Sequence, residues 1–288
     1  MRFAALLLLC LPALPSSSTA DILSGTYAPV QTRADNAIRI LDWNIDRGAR
    51  FEQVLQSIER FRPDLCLLQE VDVNAARSGR VNVADQLARA LRLNYVFGQA
   101  FEELGQGNPE APAIQGQATL SAWPLLNTRI IHYNRQTGFW APRPWLPNRV
   151  PLLQRRAGGR IGLVSEINVG GRTMVVYNLH LESRGPGRAR WLQLRETIAD
   201  ARRYSADTPI LLAGDLNTKY AASRFTGLLE RNGFHDCLDG HSGKTHRIIG
   251  RLDWIFVRGP LACSSAEVDH EARGSDHFPL TAVLRMKP

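Results

Sequence analysis

The sequence predicts an α/β chain in which two β-sheets pack face to face with helices on their outer faces. Three observations lead there. From residue 38 onward short β-like runs alternate with helix-like segments, and several strand pairs are joined by Gly-containing turns. Central runs such as Leu211-Leu212-Ala213 are apolar on both faces and need cover on both sides. With 44% hydrophobic and 22% charged residues, the 288-residue chain can build a sizeable core, which excludes global disorder. No repeat or low-complexity linker divides it, so residues 21–288 are expected to form a single domain.

Residues 1–20 stand apart from that domain. Arg2 gives a positive start, residues 3–14 are almost wholly apolar, and Ser18-Thr19-Ala20 resembles a signal-peptidase site. The segment reads as a signal peptide too short to span a bilayer comfortably, so export to the periplasm or the extracellular space is expected. The first strand is predicted at 38–46, followed by a helix at 51–61 whose apolar positions fall three or four apart. A strand at 64–72 holds the apolar run Asp64-Leu65-Cys66-Leu67-Leu68, and a helix follows at 83–93. Strands at 95–100, 118–122, 161–169 and 173–181 lead to a helix at 188–204 and a strand at 209–213. A helix at 221–232 and strands at 252–257 and 278–284 complete the pattern. Residues 102–116 and 134–160, rich in Gly, Pro, Arg and aromatics, read as long surface loops able to rim a cleft.

Once Cys10 leaves with the leader, Cys66, Cys237 and Cys263 remain. Cys66 reads as a small buried core residue, whereas Cys237 and Cys263 could pair in an oxidising compartment. The formal net charge is +8, and Arg2 is the sole charged residue of the first twenty, so the domain carries +7. Such a basic surface favours nucleic acid, phosphorylated small molecules or an acidic membrane surface.

Six polar motifs follow or interrupt apolar strand-like runs: Trp43-Asn44-Ile45, Leu68-Gln69-Glu70-Val71, Tyr177-Asn178-Leu179-His180-Leu181, Gly214-Asp215-Leu216-Asn217, Arg251-Leu252-Asp253-Trp254 and Ser275-Asp276-His277. Phosphate-ester hydrolysis needs a hard cation or basic clamp for the phosphoryl oxygens, a base to orient water, and support for the leaving oxygen. Oxygen-rich and imidazole side chains at strand ends meet that need. Singly, each motif has an ordinary structural reading: Asp215 could cap the following segment, Asn44 could hold a turn, and a lone His is usually a structural group.

Taken in this order, the six motifs resemble the endonuclease/exonuclease/phosphatase family, which includes deoxyribonuclease-like enzymes, abasic-site endonucleases, neutral sphingomyelinases, deadenylases and inositol polyphosphate 5-phosphatases. The likeness spans residues 38–284. It implies a four-layer α/β sandwich of two packed mixed β-sheets flanked by helices. By matching position it implies that Glu70, supported by Asn44 and approached by Asp276, holds Mg²⁺, with Mn²⁺ or Ca²⁺ as alternatives. Asp215 matches the residue that orients or deprotonates the attacking water, with Asn217 beside it as a donor. His277 matches the histidine that stabilises phosphoryl charge, and Asp253 matches its carboxylate partner. His180 falls where a phosphate ligand or leaving-group acid is expected. Deoxyribonuclease-like members place an acid near the start of the strand that here begins Gln115-Gly116-Gln117-Ala118, so the partner of His180 is left to Glu102 or Glu103.

Around these motifs, Gly138-Phe139-Trp140 and Trp145, followed by Gln154-Arg155-Arg156-Ala157-Gly158-Gly159-Arg160, combine aromatics with guanidinium groups. Trp140, Trp145, Arg184 and Asn178 are candidate substrate contacts, set against the plainer reading that the tryptophans pack the loop and the arginines are solvated. Lys244, His246 and Arg247 are candidate rim residues in the loop before Asp253. The favoured activity is that of a secreted metal-dependent nuclease or phosphodiesterase, with nucleic acid as partner. A phosphodiesterase or phosphatase acting on lipid headgroups or small phosphate esters is the alternative. A non-catalytic binding module would require a broken metal site, yet every matched position carries a chemically competent residue; no protein partner is inferred.

Overall fold

The computed structural model describes residues 21–29, 37–141, 153–185, 187–239 and 243–287. Residues 1–20, expected to be a signal peptide, and Trp145 lie outside the described residues. Two mixed sheets form the centre. In chain order the first contains β1 (Ile22–Gly25), β2 (Ala37–Arg47), β3 (Leu65–Val73), β4 (Asn94–Glu103), β5 (Ile114–Ser121), β7 (Arg156–Gly158), β13 (Leu261–Val268) and β14 (Leu280–Met286). The second contains β6 (Leu126–His132), β8 (Ile161–Val169), β9 (Arg172–His180), β10 (Ile210–Asp215), β11 (His235–Asp236) and β12 (Asp253–Arg258). The strand orders are β1-β4-β5-β3-β2-β14-β13, with β7 also on β4, and β11-β12-β10-β9-β8-β6. Each sheet has one parallel pair, β2 with β3 and β9 with β10, and these two crossovers use the helices.

Helices α1 (Phe51–Phe61) and α2 (Val83–Leu91) cover the first sheet, burying Val54, Ile58, Val83 and Leu87. On the second sheet, α3 (Arg188–Ala201) and α4 (Ala222–Glu230) bury Leu194, Ile198, Phe225 and Leu229. Strand periodicity explains the layering. In β10, Leu211 and Ala213 point into the core shared by the sheets, while Ile210 and Leu212 point to α3 and α4. Every residue of this strand is therefore apolar until Gly214-Asp215, as the sequence indicated. Local chemistry sets the helix ends: the Asn82 side chain caps α2 by accepting the Asp85 N–H at 3.1 Å, and Pro63 follows the left-handed Arg62 that stops α1.

The predicted loops need correction at both ends. Residues 102–103 belong to β4 and 114–116 to β5, and Arg156–Gly158 adds a short strand to the edge of β4. Strands β1, β6, β11 and β13 were not apparent from the sequence. All four lie at or beside sheet edges, where half-exposed positions blur alternation, as in Leu126–His132 and Leu261–Val268. Cys237 and Cys263 form a disulfide, Cα atoms 5.5 Å apart, tying the β11 edge of one sheet to the β13 edge of the other. Cys66 is free and buried, and burial pushes its thiol far above the ordinary range.

Candidate active site

Sheet register builds the centre of the site. Asp215 at the end of β10 pairs with His180 at the end of parallel β9 and with Asp253 at the start of antiparallel β12. The three side chains therefore occupy one rung of the second sheet and share a face. Gly214 permits this close approach: its φ is 137°, and a Cβ there would lie 1.9 Å from the Leu179 carbonyl oxygen.

The first sheet delivers the facing groups. Trp43 Nε1 donates to the His277 carbonyl at 3.0 Å, and Ser275 Oγ donates to the Asn44 carbonyl at 2.6 Å while accepting the His277 N–H at 3.0 Å. The first and last motifs are thus laced together, which explains the residue types at Trp43 and Ser275. Asn44 Nδ2 reaches across the sheets to Asp215 Oδ2 at 3.3 Å. The other Asp215 oxygen accepts the Asn217 N–H at 2.8 Å, and Asn217 Nδ2 pins the Leu181 carbonyl at 3.0 Å.

Three imidazoles surround these carboxylates. His277 Nδ1 lies 2.8 Å from Asp253 Oδ2, and its Nε2 lies 3.9 Å from Asp215 Oδ2. Burial alone opposes charge on His277, but Asp253, reinforced by Asp215 and Asp276, outweighs it and raises the ring to about 10. His180 Nε2 lies 3.5 Å from Asp215 Oδ2. Burial, with the positive charges of Arg160, His277 and Arg156, holds His180 well below its ordinary value, so it is neutral. His246 Nδ1 accepts the N–H groups of Ile248 and Ile249 at 3.0 and 3.1 Å. Its Nε2 must then carry the proton, and that edge lies 3.7 Å from Asp276. Burial raises Asp215, and the neighbouring charge of Asp253 adds to the shift, moving it toward the range of a working base.

A second group of acids lies at the ends of β2 and β3. Glu70 sits where the β3 ladder is interrupted between Leu68 and Val71, with φ at 52°, and Asp46 and Arg47 at the end of β2 also have positive φ. Burial raises the Asp46 carboxyl, and among the charges around it those of Asp276 and Glu70 add to the rise while Arg47 opposes it. Asp46, Glu70 and Asp276 therefore form one acidic neighbourhood, with Asn44 Oδ1 accepting the Asp46 N–H at 3.2 Å. Carboxylate and amide oxygens fit a hard divalent cation. Two tighter trios, Asp215/Asp253/His277 and His246/Asp276/His277, bring potential ligand atoms within 4.8 Å of one another. In the first trio Asp253 and His277 satisfy each other. In the second, the two N–H donors on His246 Nδ1 require the proton at Nε2. The oxygen set is looser than either trio, and Arg47 engages both Asp46 and Glu70, the latter at 3.7 Å; its donor type, all oxygen, is what suits it to a hard cation.

Several expectations change. Asn178 is fully buried between the sheets, accepting from Gln69 at 3.0 Å and donating to the Ala118 carbonyl at 2.9 Å; it is an inter-sheet tie, not a substrate contact. Glu103 is engaged by Arg77 and Arg156 at 2.9 and 2.8 Å, so it does not serve as the partner of His180; Asp215 takes that place. Gln115 bridges Arg156 and Asp72. Trp140 both packs and lines a cleft: its Nε1 donates to Glu182 at 3.3 Å, and its ring meets Phe101 edge-on. Arg184 lines the same cleft, whereas Arg190 is buried, donating to the Glu182 carbonyl. Asp46 escaped the sequence reading although it directly follows Trp43-Asn44-Ile45, and His246 was placed only on the rim although it is buried beside His277.

The family model described as Endonuclease/Exonuclease/phosphatase family matches residues 43–277, from the first of the six motifs to the last. The chain belongs to this family. No curated protein matches it. Among solved structures, an endonuclease/exonuclease/phosphatase from Beutenbergia cavernae is 18% identical with a TM-score of 0.68, the match covering 88% of this chain and 72% of that one. D. rerio TDP2 complexed with a single-strand DNA product is 18% identical with a TM-score of 0.62, covering 88% and 100%. The human Nocturnin catalytic domain with bound sulfate is 18% identical with a TM-score of 0.64, covering 93% and 97%. At these identities the likeness establishes the endonuclease/exonuclease/phosphatase fold.

Proposed function

We propose that the protein is an exported, divalent-metal-dependent phosphodiesterase that hydrolyses nucleic acid. The observation that carries the chemistry is Asp215, buried on one rung with His180 and Asp253, with its two oxygens held by Asn44 and Asn217. The oxygen donors Glu70, Asp276, Asn44 and Asp46 would hold Mg²⁺, Mn²⁺ or Ca²⁺, which when bound polarises the phosphoryl group and offsets its charge. Asp215, raised by burial, accepts a proton from the attacking water while Asn44 and Asn217 fix its orientation. His277, kept cationic by Asp253, supplies positive charge to the phosphoryl oxygens. His180 is neutral and positions Asp215.

The nucleic-acid assignment is supported by the +7 charge of the domain, +8 less Arg2, and by the arginine and aromatic cleft beside Glu70. Export is supported by the leader-like residues 1–20 and by the Cys237–Cys263 disulfide, a bond that persists in oxidising compartments. Hydrolysis of plasmid DNA, RNA, sphingomyelin vesicles and phosphomonoesters is measured with Mg²⁺ or EDTA, for the wild type, Asp215→Ala and His277→Ala. Nucleic-acid cleavage abolished by EDTA and by both substitutions is expected. Cleavage of lipid or small esters alone would replace the substrate and keep the mechanism; activity indifferent to EDTA and to both variants would remove the site.

A further inference from the structure

The cleft beside Glu70 carries more positive charge than hydrolysis of a single phosphate ester requires. It encloses about 900 Å³ and is lined by six arginines, Arg47, Arg77, Arg155, Arg156, Arg160 and Arg184, against two glutamates, Glu70 and Glu103. Three of these cations have carboxylate partners: Arg77 on Asp72 and Glu103, Arg156 on Glu103, and Arg47 on Asp46 and Glu70. Arg155, Arg160 and Arg184 take part in no ion pair among the described residues.

Arg160 is the most informative of the three. It is 3% exposed, one terminal nitrogen donates to Ser183 Oγ at 3.0 Å, and its Nε has no partner. Glu70, Glu182 and Asp215 offset its charge only from beyond ion-pair distance, so the buried guanidinium keeps an unmade direct pairing that a bound anion would supply. Aromatic rings close the same cleft. Phe139 is 46% exposed with the Arg184 guanidinium 5.3 Å from its ring, and Trp140 is fixed by Glu182. Rings held in place before a ligand arrives suit stacking of a base.

We propose that this cleft binds a second phosphate of the substrate, one nucleoside away from the scissile one, with Arg160 as its buried anchor and the intervening base against Phe139 and Trp140. The inference rests on the nucleic-acid reading above and sharpens it: the preferred substrate presents two phosphates, not one. Arg155 and Arg184, both exposed, steer the anion to Arg160.

Binding separates this subsite from catalysis. In EDTA, calorimetry compares thymidine 3′,5′-bisphosphate with the 3′- and 5′-monophosphates. The bisphosphate is expected to bind about tenfold more tightly, and Arg160→Gln to reduce that advantage to about twofold or less. If Arg160→Gln does not fold, the surface pair Arg155→Ala/Arg184→Ala carries the test with an expected loss of about threefold or more. Equal affinity for mono- and bisphosphates, or an advantage untouched in the variants, overturns the proposal. With Mg²⁺, a dinucleotide bearing a terminal phosphate should show a KM about tenfold below that of the unphosphorylated dinucleotide, with kcat little changed. Cleavage indifferent to the terminal phosphate removes the subsite and leaves the nuclease; a bisphosphate preference without any nucleic-acid cleavage keeps the subsite and removes the nuclease.

Discussion

At the scale of single residues, His277 and Asp253 make the clearest electrostatic claim. In the unfolded chain the ring titrates near its ordinary value of about 6.5, and in the folded protein near 10. The pair therefore contributes its full stability below about pH 6.5 and loses it as the pH rises toward 10. Thermal unfolding of the EDTA-treated protein should show this decline across the alkaline window, and Asp253→Asn should flatten it. An unchanged pH profile in the variant would mean that the ring is not charged in the fold. Asp215→Asn keeps the hydrogen-bonding shape but removes the base, so kcat should drop by about 10³ or more while the unfolding temperature holds or rises, since a carboxylate buried beside Asp253 is relieved. The six motifs were legible because their chemistry is unusual at strand ends. Arg160 was visible only as one of three arginines in a basic stretch, because burial without a direct ion pair is a property of the fold. Asn178 misled for the same reason: it shares the inward face of β9 with His180 two residues on, and only its depth between the sheets, short of the strand end, makes it a tie and not a cleft residue.

At the scale of elements, apolar periodicity located four helices and the interior strands because each buries a continuous stripe. The edge strands were hidden because one side of each meets solvent or a loop, so polar residues interrupt the pattern; Ser264, Ser265 and Glu267 in β13 are examples. The turn at Gly214 offers a local test. Gly214→Ala forces a methyl group against the Leu179 carbonyl and a side chain into a φ of 137°, so it should cost several kcal/mol and lower activity at temperatures where the variant is still folded. Circular dichroism melts and kcat measured together would show both losses; a neutral variant would mean that β9 and β10 can separate without harm. In the outer layer, Leu212→Ala empties a fully buried position under α3 and α4 and should cost about 2–5 kcal/mol without altering KM, since that face is remote from the cleft.

At the scale of the whole molecule, the Cys237–Cys263 bond closes a loop of 26 residues and joins the edges of the two sheets. Chain-entropy arguments assign such a closure about 3.5 kcal/mol, so Cys263→Ser, or reduction before a denaturant titration, should move the midpoint by a corresponding amount, while hydrolysis measured below the midpoint persists because the register of β9, β10 and β12 holds His180, Asp215 and Asp253 together. That rung has a further consequence. The three residues come from strands far apart in the chain, two of them parallel neighbours joined through α3, and they face one another in a single register alone. A slip of one residue turns each side chain to the opposite face, so a misaligned chain would be compact and helical yet catalytically silent. On dilution from denaturant, regained hydrolysis would therefore time the last alignment of the second sheet, and its delay behind the return of helical signal would measure how long the strands search before they lock.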